Sequence, residues 1–96
     1  MQVLSIMKMQ GDPDDILTKM ADVEDVASRK APEYGGISNT VVKTDDGIMI
    51  LNLWGDEEGR HKLADDPEIQ AALQKIDMRP DFKAYEVIRY RTADDQ

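Results

Sequence analysis

The run IMILNLW (Ile48–Trp54) is apolar on both faces of the β-strand that it predicts. Side chains alternate between the two faces of a strand, so this run divides into two sets. The sets are Ile48, Ile50, Asn52 and Trp54 on one face, and Met49, Leu51 and Leu53 on the other. A strand of this kind is typical of the centre of a sheet that is covered on both faces.

The sequence on either side of this run predicts one domain, residues 1–96, with the element order β-α-β-β-α-β. The predicted strands are Gln2–Gln10, Ile37–Lys43, Ile48–Trp54 and Phe82–Arg91. The segment TDDG (Thr44–Gly47) predicts the hairpin turn between the second and third strands, with Gly47 free to take a positive φ.

Aspartate–proline pairs mark the starts of both predicted helices. Asp12 and Asp66 are good N-caps, and the proline after each suits the first helical position. The first helix is expected to end near Pro32, because the residue before a proline resists the α conformation. Asp56 can cap a further helical turn, EEGRHKLA, ahead of the second helix. The apolar residues at helical spacing are Ile16, Met20, Val23 and Ala27, then Ile69, Leu73 and Ile76.

Two right-handed crossovers place both helices on one face of a four-stranded antiparallel sheet with strand order 4-1-3-2. This is the ferredoxin-like arrangement of the α+β class. The first and third strands would be central, and they are the most continuously apolar. The second and fourth strands carry the polar and charged residues that are expected at sheet edges.

The second face of this sheet predicts a homodimer. Two helices cover only one face, so Leu51 and its neighbours from the first strand would remain in water. Burial of apolar surface contributes about 25 cal/mol per Å², so exposing several such side chains forgoes many kcal/mol. A second copy of the chain, packed sheet against sheet about a two-fold axis, would bury these side chains.

Composition limits the partners and the chemistry. Twenty acidic residues oppose twelve basic ones, giving a net charge of −8, and the basic residues are scattered along the chain. Such a surface disfavours nucleic acid and anionic membranes as partners. The chain contains no cysteine, which excludes disulfides and thiolate metal sites. No apolar stretch approaches the length of a membrane span, and we expect a cytoplasmic protein.

The stretch GIMILNLWGDEEGRHKLADDPEIQAAL (Gly47–Leu73), preceded by APEYGGISNTVVKTDDG, resembles the antibiotic biosynthesis monooxygenase-like superfamily of dimeric α+β barrels. The shared pattern is a hairpin ending in tryptophan, a charged helical stretch, then ADDP and a short helix. The resemblance implies an enzyme that acts without metal or bound cofactor. Its expected reaction is a cofactor-independent monooxygenation of a phenolic or polyketide-like aromatic substrate.

The same resemblance leaves alternatives open, because a fold does not choose a function. A cyclase or isomerase, or a non-catalytic ligand-binding or structural dimer, would use the same architecture. Haem degradation is disfavoured. Haem-degrading members use an asparagine on the first strand and a histidine that corresponds to a position near Leu63, and both are missing here.

Asn52 is the best catalytic candidate, because a buried amide must find hydrogen-bond partners or cost about 1–3 kcal/mol. It could hold an enolate-like oxygen of a substrate. Trp54 shares its face, and the resemblance implies that it lines a cavity between sheet and helices. Both residues also have ordinary structural interpretations, the amide bonded to backbone or water and the indole closing the core.

The remaining candidates are weaker. His61 carries an imidazole, a common general base at neutral pH. In a helix, however, it lies about 200° from the inward Leu63, so we expect it to face solvent. The residues with predicted substrate-binding roles beside Trp54 are Tyr34, Tyr85, Met7 and Met20. Each of them could equally be an edge aromatic or a core methionine.

Overall fold

The structure is a computed structural model that describes residues 1–76 and 80–95. Its strands are β1 (Val3–Gln10), β2 (Gly36–Lys43), β3 (Gly47–Trp54) and β4 (Asp81–Glu86). Its helices are α1 (Pro13–Lys19), α2 (Ala21–Lys30), α3 (Glu57–Ala64) and α4 (Pro67–Gln74). Short 3₁₀ turns occupy Ala31–Tyr34 and Ala93–Asp95. No helix in the described ranges is long and apolar enough to cross a membrane.

The four strands form one antiparallel sheet in the order β2-β3-β1-β4. This is the predicted order 4-1-3-2 read from the other edge, so the ferredoxin-like α+β prediction is confirmed. The two central strands bury most of their apolar residues. The two edge strands, β2 and β4, are mostly exposed.

The helices cover the sheet face that carries Asn52 and Trp54, which we call the helix face. Met9, Ile48 and Ile50 on this face share one buried cluster with the apolar side chains of the helices. Those helix residues are Ile16, Met20, Val23, Val26, Ile69 and Ala72. Because residues directly opposite in the ladder share a face, Asn52 lies beside Ser5, and Trp54 lies beside Val3.

The other side of the sheet, which we call the open face, is apolar at its centre, where the two central strands pair. Leu4, Ile6, Met49 and Leu51 are only partly buried there. Tyr85, opposite Leu4 in the ladder, is 51% exposed. The apolar second face that the sequence predicts is therefore present.

The three predicted N-caps are confirmed. A side-chain oxygen of Asp12 accepts from the backbone N–H of Asp15 at 3.1 Å, and Asp56 accepts from Glu58 at 3.0 Å. Asp66 accepts from two backbone N–H groups at the start of α4. Each cap satisfies a donor that has no partner within its own helix.

The first predicted helix is divided at Met20, whose φ of −87° and ψ of −2° end α1 and begin α2. Backbone hydrogen bonds from Met20 to Ile16 and from Glu24 to Met20 continue across the division, so the helical sides of α1 and α2 stay in register. Pro32 follows the end of α2 inside the 3₁₀ turn, as expected.

Two sequence predictions are wrong in detail. Gly47 does not take a positive φ. A glycine is required at this position because a Cβ would collide with the carbonyl oxygen of Met9. The last strand does not reach Arg91. β4 ends at Glu86, which is opposite Val3, the first residue of β1. One more hydrogen bond, from the N–H of Val87 to the carbonyl oxygen of Gln2, is the last between the two segments.

Candidate functional site

A polar row crosses the helix face of the sheet. The ladder aligns Asn39 of β2, Asn52 of β3, Ser5 of β1 and Ala84 of β4. The side-chain amide of Asn39 donates to Oδ1 of Asn52. The carbonyl oxygen of Asn52 accepts from the Ser5 hydroxyl at 3.5 Å. Asn39 therefore holds the side chain of Asn52, whereas Ser5 bonds its backbone.

The bond from Asn39 determines which atoms of Asn52 are available. An asparagine amide has one acceptor oxygen and two N–H donors. The Oδ1 atom of Asn52 accepts the bond from Asn39, and its Nδ2 has no hydrogen-bond acceptor among residues 1–76 and 80–95. The Asn52 side chain is only partly buried, so these donors suit the oxygen atom of a small ligand.

Trp54 is a tightly packed neighbour of this row. It is 3% exposed, and its Nε1 donates to the Ser5 hydroxyl at 3.2 Å. On its other side, a Cβ added to Gly59 of α3 would lie 3.8 Å from Cε3 of Trp54 and would collide with the Tyr34 carbonyl oxygen. The indole thus occupies the space between the sheet and α3.

A cavity of about 310 Å³ opens on the helix face between α1 and β2. Its lining residues are Asp12, Pro13, Asp14, Leu17, Val41, Val42, Lys43 and Ile48. Asn52 and Trp54 do not line it. Val41 is two residues from Asn39 on the same face of β2, a distance of about 7 Å along the strand. The Asn39–Asn52 pair therefore lies next to the cavity, further along the same strands.

Tyr34 is engaged in a different polar cluster. Its hydroxyl donates to Oδ2 of Asp66 at 2.8 Å, and Nζ of Lys30 lies 2.9 Å from both oxygens of the same carboxylate. The Lys30 bond first, and then the Tyr34 bond, lower the pKa of Asp66 to about 2. The same bond to Asp66 raises the pKa of Tyr34. The Tyr34 hydroxyl therefore ties the 3₁₀ turn to α4.

The other predicted site residues are dispersed. The His61 side chain is 60% exposed and lies 3.6 Å from Glu57, so it faces solvent as expected. Tyr85 is on the open face and does not share a site with Asn52. Met7 is partly buried on the helix face, while Met20 is 2% exposed and packs in the core. No three His, Cys, Asp or Glu side chains converge on a metal-sized site in the described parts of the chain.

Asn39 and Ser5 belong to this arrangement and were not singled out from the sequence. The position of Asn39 opposite Asn52 could have been predicted from the hairpin. In an antiparallel hairpin, each step back along one strand is matched by a step forward along the other. Because Lys43 pairs with Ile48, Asn39, four residues earlier, pairs with Asn52, four residues later. Ser5 had no comparable signal, because its bond to Trp54 joins residues far apart in the chain.

Comparison with known proteins identifies the architecture. A dimeric ferredoxin-like protein of unknown function from Jannaschia sp. CCS1 superposes with a TM-score of 0.72 at 13% identity, over 91% of this chain and 100% of its own. A protein from Chloroflexus aurantiacus, provisionally named an antibiotic biosynthesis monooxygenase, gives 0.68 at 19% identity, over 96% and 98%. The chain has the antibiotic biosynthesis monooxygenase-like fold.

SnoaB, a cofactor-independent oxygenase from Streptomyces nogalater whose structure was solved for a point mutant, shares this fold with a TM-score of 0.57. Its identity is 13%, over 93% of each chain. No protein-family model matches the sequence, and no curated protein matches it. The resemblance inferred from the sequence is thus confirmed for the antibiotic biosynthesis monooxygenase-like fold. At these sequence identities the comparisons show the fold alone.

Proposed function

We propose that this protein is a small-molecule enzyme that binds a phenol- or enol-bearing aromatic compound at Asn52 and oxidises it with O₂, without a bound cofactor. The observation that supports it most is the orientation of Asn52. Asn39 donates to its oxygen, and its own N–H donors have no acceptor among the described residues, so these donors are available to an oxygen that becomes negatively charged. The neighbouring cavity of about 310 Å³ is within the range of small-molecule sites.

The proposed chemistry uses electrons from the substrate itself. Removal of a proton next to a carbonyl or phenol leaves an enolate or phenolate, which Asn52 stabilises by hydrogen bonding. This anion reduces O₂. In the net reaction a CH₂ group becomes C=O, one oxygen atom enters the product, and the other leaves as water with the two hydrogens of the CH₂ group. The protein contributes binding, orientation and a site shielded from bulk water.

A homodimer formed through the open face belongs to this proposal. Leu4, Ile6, Met49 and Leu51 present a continuous apolar surface on the two central strands. A monomeric sheet would carry polar residues there. A second copy of this chain matches that surface by symmetry, and a neighbour of the same fold is a dimeric protein.

A non-catalytic ligand-binding or structural dimer is the second candidate. The burial of Trp54 favours it, because the indole fills space that a ligand would otherwise occupy. On this alternative the cavity beside β2 binds a ligand without turnover, or the core is filled by side chains alone.

Oxygen consumption with a panel of anthrones, dihydroxyanthracenes and simple phenols tests the proposal. We expect uptake with at least one compound, and a decrease of about 100-fold or more in Asn52→Ala, as for loss of one oxyanion donor. Gln74→Ala, which removes an exposed amide at the end of α4, is the matched control. Uptake that is unchanged in Asn52→Ala would overturn the proposal. Calorimetric binding of these compounds without uptake would favour the second candidate.

A further inference from the structure

Glu24 of α2 has a buried carboxylate oxygen without a partner. Its Oε1 is inaccessible to solvent and accepts no hydrogen bond from the described residues. Buried polar atoms are almost always paired, and an exception at a polar site calls for a functional explanation. Its neighbours Asp22 and Asp25 on the same helix are exposed.

The position of Glu24 on its helix follows from two residues whose surroundings are known. Leu17 lines the cavity together with Val41 of β2. At the other end, a Cβ on Gly36 of β2 would lie 2.9 Å from the Ala31 carbonyl oxygen. Glu24 is seven residues after Leu17 and seven before Ala31. Seven residues complete about two helical turns, so all three lie on the side that faces β2.

The opposite side of α2 is occupied by α4. Arg29 Nη2 lies 2.7 Å from Glu68, and Lys30 Nζ lies 2.9 Å from Asp66. Both partners belong to the start of α4, so Glu24 does not face that helix.

The level of Glu24 along the sheet matches that of the polar row. It is midway between Leu17, beside Val41, and Ala31, beside Gly36. Asn39 lies about midway between Val41 and Gly36 on β2. The part of α2 that carries Glu24 therefore runs past the Asn39–Asn52 pair on the helix face of the sheet.

We propose that Glu24 is the general base of this site, an inference that rests on the proposed function. Its carboxylate and the Asn52 amide face a common space, in which Glu24 accepts and Asn52 Nδ2 donates. An enolisable ligand fits this pair. The C–H or O–H bond of the ligand breaks, and the proton goes to Glu24. The electron pair then delocalises onto the ligand oxygen that Asn52 holds.

The groove is accessible from its β2 side. Asn39 is exposed, Val41 is 38% exposed, and Leu17 is 37% exposed. Glu24 is only partly buried as a residue, and its second oxygen, Oε2, is not enclosed, so an aromatic ring can approach that oxygen past these side chains. This arrangement supplies the base that His61, turned to solvent, does not.

Anaerobic deuterium exchange tests proton removal without involving oxygen. Anthrone in D₂O exchanges the hydrogens of its CH₂ group through the enolate, and NMR follows the loss of the proton signal. We expect the wild-type protein to accelerate this exchange and Glu24→Gln to reduce the acceleration by about 100-fold or more. Glu24→Asp keeps the charge on a shorter side chain and should retain part of it. Glu33→Gln, at an exposed carboxylate, should match the wild type.

The outcomes separate the base assignment from the oxygenase proposal. Accelerated exchange that depends on Glu24, without oxygen uptake by any compound, supports the base and overturns the oxygenase. Oxygen uptake that is unaffected by Glu24→Gln overturns the base alone. Wild-type exchange no faster than that in buffer overturns the assignment as well. Circular dichroism of each variant verifies that it is folded.

Discussion

The indole N–H of Trp54 donates a hydrogen bond to the hydroxyl of Ser5, 3.2 Å away on the adjacent central strand. Ser5 is 4% exposed and Trp54 is 3% exposed, so the pair is enclosed between the sheet and the helices. Ser5 uses its own hydrogen to bond the carbonyl oxygen of Asn52. One hydroxyl of β1 thereby connects the Trp54 side chain with the backbone of Asn52, two residues earlier on β3.

Ser5→Ala should destabilise the protein by about 1–3 kcal/mol, because the buried indole donor loses its acceptor. The loss corresponds to a decrease of at least about 4 °C in Tm for a domain of this size. Urea denaturation followed by circular dichroism measures it, and Ser38→Ala, an exposed serine on β2, is the control. Equal stability of the two variants would show that the bond contributes nothing.

Gly59→Ala should destabilise the protein, although the same change usually stabilises a helix by about 1 kcal/mol. The added Cβ would collide with the Tyr34 carbonyl oxygen, so α3 or the 3₁₀ turn must move. Thermal unfolding measures the sign of the effect. Gly55→Ala is the control, because its Cβ would meet only ordinary contacts, the nearest at 3.5 Å. A more stable Gly59→Ala would contradict the close packing of α3.

The Asp66 cluster should make stability depend on acid pH. Its pKa is lowered from 3.8 to about 2 by Lys30 and Tyr34, so the folded protein binds the proton less tightly than the unfolded chain. The stabilisation is complete above about pH 4 and is lost as the pH falls toward about 2. We expect Asp66→Asn to be less stable at neutral pH and to lose less stability over that window.

Unfolding free energies measured from pH 2 to pH 7 distinguish the wild type from Asp66→Asn. The pKa of Glu68 is also lowered, first by Arg29 and then by Lys30, so Glu68 contributes a loss of stability in acid in both proteins. Asp65→Asn, an exposed neighbour, is the control. Parallel pH profiles for wild type and Asp66→Asn would contradict the assignment.

Leu51→Glu should dissociate the proposed dimer. The substitution places a charge at the centre of the open face, and burying it unpaired in the interface costs several kcal/mol. We expect self-association to weaken by about 100-fold or more, with the protomer still folded because Leu51 is only partly buried within it.

Sedimentation velocity at micromolar concentration measures this effect. Leu17→Glu introduces the same charge at a 37% exposed leucine on α1, away from the open face, and should leave the dimer intact. A wild-type protein that sediments as a monomer would remove the dimer from the proposal.

The features that the sequence predicts well are local or periodic. Asp12 and Asp66 each cap a helix through bonds to residues two or three positions away, so the signal is complete within a few residues. The alternation of Ile48–Trp54 fixes two faces whatever the partner strands are. These two kinds of signal are sufficient for the element order and the sheet topology.

The features that the sequence does not predict depend on contacts between distant residues. Gly47 is constrained by the Met9 carbonyl oxygen, and β4 ends early because β1 has no residues left to pair. Glu24 is one acidic residue among twenty in the sequence. Its buried oxygen distinguishes it from the others only once α2 is packed against the sheet.

The burial of Trp54 next to the polar row has a practical consequence. It is the only tryptophan of the chain, so tryptophan fluorescence reports on a single location. Its indole N–H is held by Ser5, which in turn bonds Asn52, so we expect a molecule bound at Asn52 to change the surroundings of the emitting ring. Intrinsic tryptophan fluorescence would then report occupancy of the proposed site without a dye or label.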